Sequence, residues 1–162
     1  MEFIADPYRN DDELRLRARP GIAGAEERRR VSEDRYERGR ERFLEVHDEK
    51  ALAAVEGLGD LGRAIVEFAY GDVYTRPGLA LRDREIAAVA ALVATGRSSQ
   101  IPQHLRASLK AGLSPEELRE IILQTATIAG FPPAMNAMST LRSVLKEVGA
   151  KEEADAKDAR DV

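Results

Sequence analysis

Residues 114–130 read SPEELREIILQTATIAG, and this stretch spells out a helix with both of its ends. Ser114 offers a side-chain oxygen just ahead of the first turn. Pro115 suits the first helical position, where its missing N–H would have had no partner, and Glu117 can reach back to the Ser114 backbone. Leu118, Ile121, Ile122, Thr125, Ala126 and Ala129 then fall on one face, and Gly130 supplies the stop. A helix with one apolar stripe has to bury it against other elements.

The flanking sequence provides helices rather than strands. Downstream, Pro132-Pro133 opens a last helix with Met138, Leu141, Leu145 and Val148 on its stripe. Upstream, residues 99–111 carry Ile101, Leu105 and Leu109 and end at Gly112. Residues 82–95, RDREIAAVAALVAT, begin charged and become apolar on every side, which predicts a buried helix that Gly96 ends. Thr75-Arg76-Pro77-Gly78 reads as a turn. Before it, residues 58–70 recur at helical spacing through Leu61, Ile65, Phe68 and Ala69, and residues 34–47 have Tyr36, Phe43 and Val46 as anchors. The expected fold class is all-α: a bundle of about six helices with short connections and no repeat.

The ends differ in composition from the middle. Residues 1–34 are charge-dense and broken by Pro7, Pro20, Gly21 and Gly24, which predicts an extended or partly disordered arm, or one that wraps a neighbouring subunit. Residues 35–149 form the expected domain, and residues 150–162 a solvated tail. The 162-residue length suits one domain, and 43% hydrophobic residues suffice for a core. The net charge of −4 comes from interspersed signs, and the basic cluster Arg28–Arg30 is offset by Glu26, Glu27, Glu33 and Asp34, so no nucleic-acid partner is expected. No apolar run has the length of a membrane span. The opening MEFIADPYRNDDELR has no basic region followed by an apolar one, so a secretory leader is not expected and a cytoplasmic location is.

Chemistry is confined to few residues. The chain has no cysteine and two histidines, His47 and His104, with no ligand spacing for a metal. There is no glycine-rich phosphate loop and no G-x-S-x-G elbow, so no cofactor is expected. Glu85 lies in the first turn of the apolar helix, and His104 sits beside Ile101, Leu105 and Ser108. A carboxylate meeting an imidazole in such a setting would hold its tautomer and could move a proton near neutral pH. Glu85 could equally be an acid favoured at a helix start, and His104 a boundary residue. Arg97, Arg106 and Arg76 are candidate carboxylate ligands through their planar forks.

An ordered set of short motifs resembles a known family. Arg76-Pro77-Gly78-Leu79, Arg84-Glu85, Gly96-Arg97, His104-Leu105, Ala111-Gly112-Leu113-Ser114, Glu117-Leu118-x-Glu120 and Ala129-Gly130-x-Pro132-x-Ala134-x-Asn136-Ala137 are similar to the carboxymuconolactone decarboxylase family, within the alkylhydroperoxidase AhpD-like superfamily. The resemblance spans roughly residues 36–149. It implies an AhpD-like helical bundle that assembles into a homo-trimer or homo-hexamer, with a pocket near a subunit interface lined by the helices carrying Glu85 and His104. The redox branch of the superfamily uses a C-x-x-C pair with a Glu/His relay. Here Arg97 and Gln100 stand at the two cysteine positions, so thiol peroxidase chemistry is excluded and only the relay remains.

The decarboxylase branch is implied to convert 4-carboxymuconolactone to 3-oxoadipate enol-lactone without a cofactor. On that reading Glu85 and His104 are catalytic. Arg97 orients a carboxylate of a small organic acid or lactone, and Gln100, Tyr74 and Arg76 complete the substrate contacts. The rival is a non-catalytic ligand-binding or assembly protein on the same scaffold. The two differ in whether a Glu85–His104 contact faces an enclosed cavity.

Overall fold

The computed structural model describes the backbone of residues 24–158 and the side chains of residues 30–150. Most of the expected N-terminal arm, the side chains of Arg28 and Arg29, and the last residues of the tail lie outside that range. The chain divides into two compact units, residues 1–34 and 35–162. Among the described residues all regular structure is helical. Seven α-helices run in order: α1 (Ala25–Val46), α2 (Glu49–Glu56), α3 (Asp60–Ala64), α4 (Leu81–Ala94), α5 (Ile101–Lys110), α6 (Pro115–Ala129) and α7 (Phe131–Asp158). A π-helical stretch, Ile65–Val73, continues α3.

Most boundaries follow the local chemistry already visible in the sequence. In α6 the Ser114 hydroxyl accepts the Glu117 N–H at 3.2 Å, and the Glu117 carboxylate accepts the Ser114 N–H at 2.9 Å. Gly96, Gly112 and Gly130 all take positive φ just beyond helix ends. The helices differ from expectation in three places. Helix α2 is additional: it is short and alanine-rich, and Asp48 caps it by accepting the Ala51 N–H at 2.8 Å. Helix α1 starts at Ala25, inside the expected arm, and α7 runs to Asp158, through most of the expected tail. Both extensions are rich in residues of high helix propensity, Glu and Ala in each, with Arg in the first and Lys in the second.

Two hydrophobic clusters share one wall. The larger is built from α4, α5, α6 and α7, through Val89, Val93, Leu105, Leu118, Ile122 and Leu141. The smaller gathers Phe43, Val46, Leu52, Val66, Tyr70 and Ala107 from α1, α2, the π-helical stretch and α5. Helix α5 belongs to both, since Ile101 and Leu105 face one cluster and Ala107 the other. The seam between the clusters is where polar groups can be enclosed.

Two burial patterns correct the sequence reading. Over residues 58–70 the buried face is Gly62, Val66 and Tyr70, while Leu61 and Phe68 are exposed. Gly62 selects that face, because a Cβ there would stand 1.9 Å from the Val55 carbonyl oxygen. Helix α4 is likewise not buried all round: Glu85, Val89 and Val93 are buried, but Ala87, Ala91 and Ala94 are exposed.

Candidate active site

Glu85, on the buried face of α4, is 0% exposed. A carboxylate removed from water needs every acceptor engaged. Its Oε2 lies 3.0 Å from His104 Nδ1 on α5, and its Oε1 accepts the Tyr74 hydroxyl at 3.1 Å. With Nδ1 held by the carboxylate, the chemistry of the His104 ring is left to Nε2. The His104 side chain keeps 20% of its surface exposed, so the ring is the point at which this enclosed pair meets solvent.

Tyr74 follows directly on the π-helical stretch, which also carries Tyr70. The two rings lie tilted at 41° to one another with centroids 4.9 Å apart. Burial, reinforced by the Glu85 charge, pushes the Tyr74 phenol well above its usual range, so the hydroxyl remains a donor. The guanidinium of Arg84 lies 5.8 Å from the Tyr74 ring centroid and donates to the Arg76 carbonyl at 2.8 Å, which ties the Arg-Pro-Gly turn to the site.

A second histidine extends the constellation. His47 occupies the bend between α1 and α2 and is 5% exposed. Its Nε2 is 2.7 Å from the Tyr70 hydroxyl, and its ring stands edge-on to that of His104 with centroids 5.8 Å apart. Burial first, and then the neighbouring His104, lowers its pKa to about 4. Burial also raises the Tyr70 phenol. A neutral ring beside a protonated phenol lets Tyr70 donate to Nε2. Two hydrogen-bonded groups, Tyr74–Glu85–His104 and His47–Tyr70, thus stand side by side, joined by the edge-on contact of the two histidine rings.

Glu85, His104 and Tyr74 are joined by hydrogen bonds. Arg97 and Gln100 are exposed and line a separate depression of about 640 Å³ with Leu92, Gly96, Ser98 and Ser99; neither Glu85 nor His104 is among its walls. Arg76 is exposed, and its contact to the site is through its backbone carbonyl. Arg106 pairs with Glu147 at 2.8 Å. His47 was named in the sequence but given no role, and Tyr70 was missed. His47 was hidden by its charged sequence neighbours, and Tyr70 by a stripe chosen one position off. The small residues Gly62 and Gly71, spaced around Val66 and Tyr70, were the available signal for the correct face.

The Arg84-Glu85 and His104-Leu105 motifs thus meet in space. The carboxymuconolactone decarboxylase family model matches residues 59–143, which include Tyr74, Glu85 and His104. The chain belongs to the carboxymuconolactone decarboxylase family. It is 37% identical over 131 residues to a 4-carboxymuconolactone decarboxylase of Acinetobacter baylyi, a match covering 78% of this chain and 98% of that protein. It is also 27% identical over 89 residues to the nitrosuccinic acid decarboxylase npaB of Metarhizium robertsii, covering 55% and 62% of the two chains. Both relatives are decarboxylases by name. As a family member without cysteine, this chain has no dithiol. Among the described residues no three His, Cys, Asp or Glu side chains gather as a metal site, and no helix is long and apolar enough to cross a membrane.

Proposed function

We propose that this chain is a cofactor-independent decarboxylase of a small carboxylated lactone such as 4-carboxymuconolactone. The observation that carries the reading is a partly exposed imidazole held at Nδ1 by a fully buried carboxylate, in a chain 37% identical to an enzyme of that name over 98% of its length. In the proposed step the bond between the ring carbon and the carboxylate breaks and carbon dioxide leaves. The electron pair passes into the unsaturated lactone as a dienolate. Donors aimed at the developing oxyanion lower the barrier. The doubly protonated His104 ring then gives its Nε2 proton to carbon, while Glu85 keeps the ring oriented through Nδ1. The neutral ring left behind regains a proton from solvent.

Tyr74 is proposed to hold Glu85 in place. Which cation holds the substrate carboxylate separates two arrangements: Arg97 with Gln100 and the Arg76 turn, as read from sequence, or the cations beside His47. The protein is further proposed to work as a homo-trimer or homo-hexamer in the cytoplasm. Ile128, Phe131 and Met135, at the junction of α6 and α7, are 85%, 73% and 69% exposed, an apolar surface that supports packing against copies of the same chain.

The test is an absorbance assay with 4-carboxymuconolactone on the wild type and on His104→Ala. Turnover by the wild type and its loss in a variant of unchanged helicity would support the reading. An inactive, properly folded wild type would reject the substrate, and an active His104→Ala would reject the role of His104.

A further inference from the structure

A cavity of about 630 Å³ opens where the α1–α2 bend faces α5. Its polar lining is His47, Asp48, Lys50, Gln103, Arg106 and Lys110. Three of these are cations and one is an acid, in a chain whose net charge is −4. The side chains that line the cavity are therefore net positive, which favours an anion. The remaining walls are apolar, with Ala51 and Ala54 presenting methyl groups to a carbon skeleton.

The three cations are not equivalent. Lys110 Nζ donates to the Leu44 and His47 carbonyls at 2.5 and 2.7 Å, so it is a fixed charge that closes the end of α1. Asp48 is engaged in capping α2. Arg106 is paired with Glu147, but both side chains are about half exposed, and such pairs are worth only about 0–1 kcal/mol. The Arg106 fork can therefore exchange Glu147 for a ligand carboxylate at little cost. Lys50, at the exposed start of α2, adds a second adaptable donor.

His47 lines this cavity, bonds to Tyr70, and sets its ring edge-on to that of His104 with centroids 5.8 Å apart. Arg106 and His104 are two residues apart on α5, so their side chains diverge, and the His47 ring is what joins the cavity to His104. The depression lined by Arg97 and Gln100 meets the site through backbone, the Gln100 carbonyl accepting the His104 N–H at 3.3 Å, and neither Glu85 nor His104 is among the walls of either cavity. Both His47 and Lys50 precede the segment matched by the family model.

We propose that this cavity binds the carboxylate of a small organic anion, with Arg106 and Lys50 as its ligands and the His47 ring as the wall shared with the Glu85–His104 pair. The proposal deepens the decarboxylase reading and rests on it for the class of ligand. Adipate, a six-carbon dicarboxylate with no lactone to react, is a suitable probe. The chain has two histidines, so their ring ¹⁵N resonances can be assigned from His47→Gln or, if that variant does not fold, from His104→Gln.

Adipate should shift the His47 ring signals saturably, and Arg106→Gln and Lys50→Gln should each weaken binding by about tenfold. No saturable response at His47, or binding lost in Arg97→Gln and kept in Arg106→Gln, would overturn the proposal. The lactone assay separates this from the functional reading. Wild-type turnover with no adipate response at His47 would defeat the cavity and leave the decarboxylase. Arg106-dependent adipate binding without lactone turnover would defeat the substrate and leave the anion site.

Discussion

At Glu85 the carboxylate has both oxygens occupied, by Tyr74 and by His104, and no exposed surface. Glu85→Gln keeps the shape but places an amide N–H₂ or a carbonyl against Nδ1 in place of a charge, so the ring loses its fixed tautomer. Turnover should fall by about 10²–10⁴-fold in Glu85→Gln, as for loss of a general acid–base group, with little change in melting temperature. Steady-state rates alongside thermal melts check this, and a variant within twofold of wild type would remove Glu85 from the reaction. His47 makes a stability prediction whose sign can be worked out. Its folded pKa, about 4, lies below the ordinary 6.5, so as the pH falls the unfolded chain takes up the proton first. Its contribution is complete above 6.5 and is lost between 6.5 and 4, by roughly 3 kcal/mol. Glu117, held at about 2 first by Arg82 and then by the Ser114 backbone, acts in a lower window: its contribution is present above 4.5 and is lost as the pH falls toward 2. Urea midpoints at pH 7.0, 5.5 and 4.5 should drop for the wild type and stay nearly level for His47→Gln. Parallel curves would mean that another group titrates.

Among the elements, the contact of α1 with the π-helical stretch places Tyr70 and His47 together. It depends on the absence of side chains at the crossing. A Cβ on Gly39 would lie 2.2 Å from the Val66 carbonyl oxygen, and one on Gly71 would lie 2.6 Å from that of Arg35. Both obstacles are backbone, which cannot rotate away. Gly39→Ala should therefore destabilise by about 1–3 kcal/mol through overpacking, despite the better helix propensity of alanine. Chemical denaturation measures it directly, and a neutral or stabilised variant would show that the helices separate freely. Charged contacts frame the same crossing, with Arg35 Nε donating to Asp72 at 3.2 Å and Arg38 Nε to the Gly71 carbonyl at 2.9 Å. In the sequence such glycines mark a face on which a close approach is possible, without saying what approaches. Their reason lies in the partner helix.

For the whole molecule, the unburied apolar residues are the feature a single chain does not explain. Ile128, Phe131 and Met135 fall within eight positions of one another at one helix junction, and the alanine face of α4 is open as well. If copies of the chain pack there, Ile128→Asp with Phe131→Asp should reduce the mass measured by light scattering from that of a trimer or hexamer to that of one chain. An unchanged mass would place any assembly elsewhere. The charge-dense arm was a second candidate for contacts between subunits, and its first residues lie outside those described.

Local chemistry in the sequence was enough to determine the helices that have explicit ends. The Ser114–Glu117 capping box, the glycines at 96, 112 and 130, and the stripe from Leu118 to Ala126 needed only neighbours within a few residues, and the same reading singled out Glu85 and His104. Tertiary structure alone decided which face of residues 58–70 turns inward, that His47 is buried, and that His47 stands beside His104 although the two are far apart in the chain. Helical periodicity narrows a face to within a residue or two. The choice within that margin is made by where another backbone passes, as Val55 does against Gly62, and nothing in the periodicity of residues 58–70 records that passage.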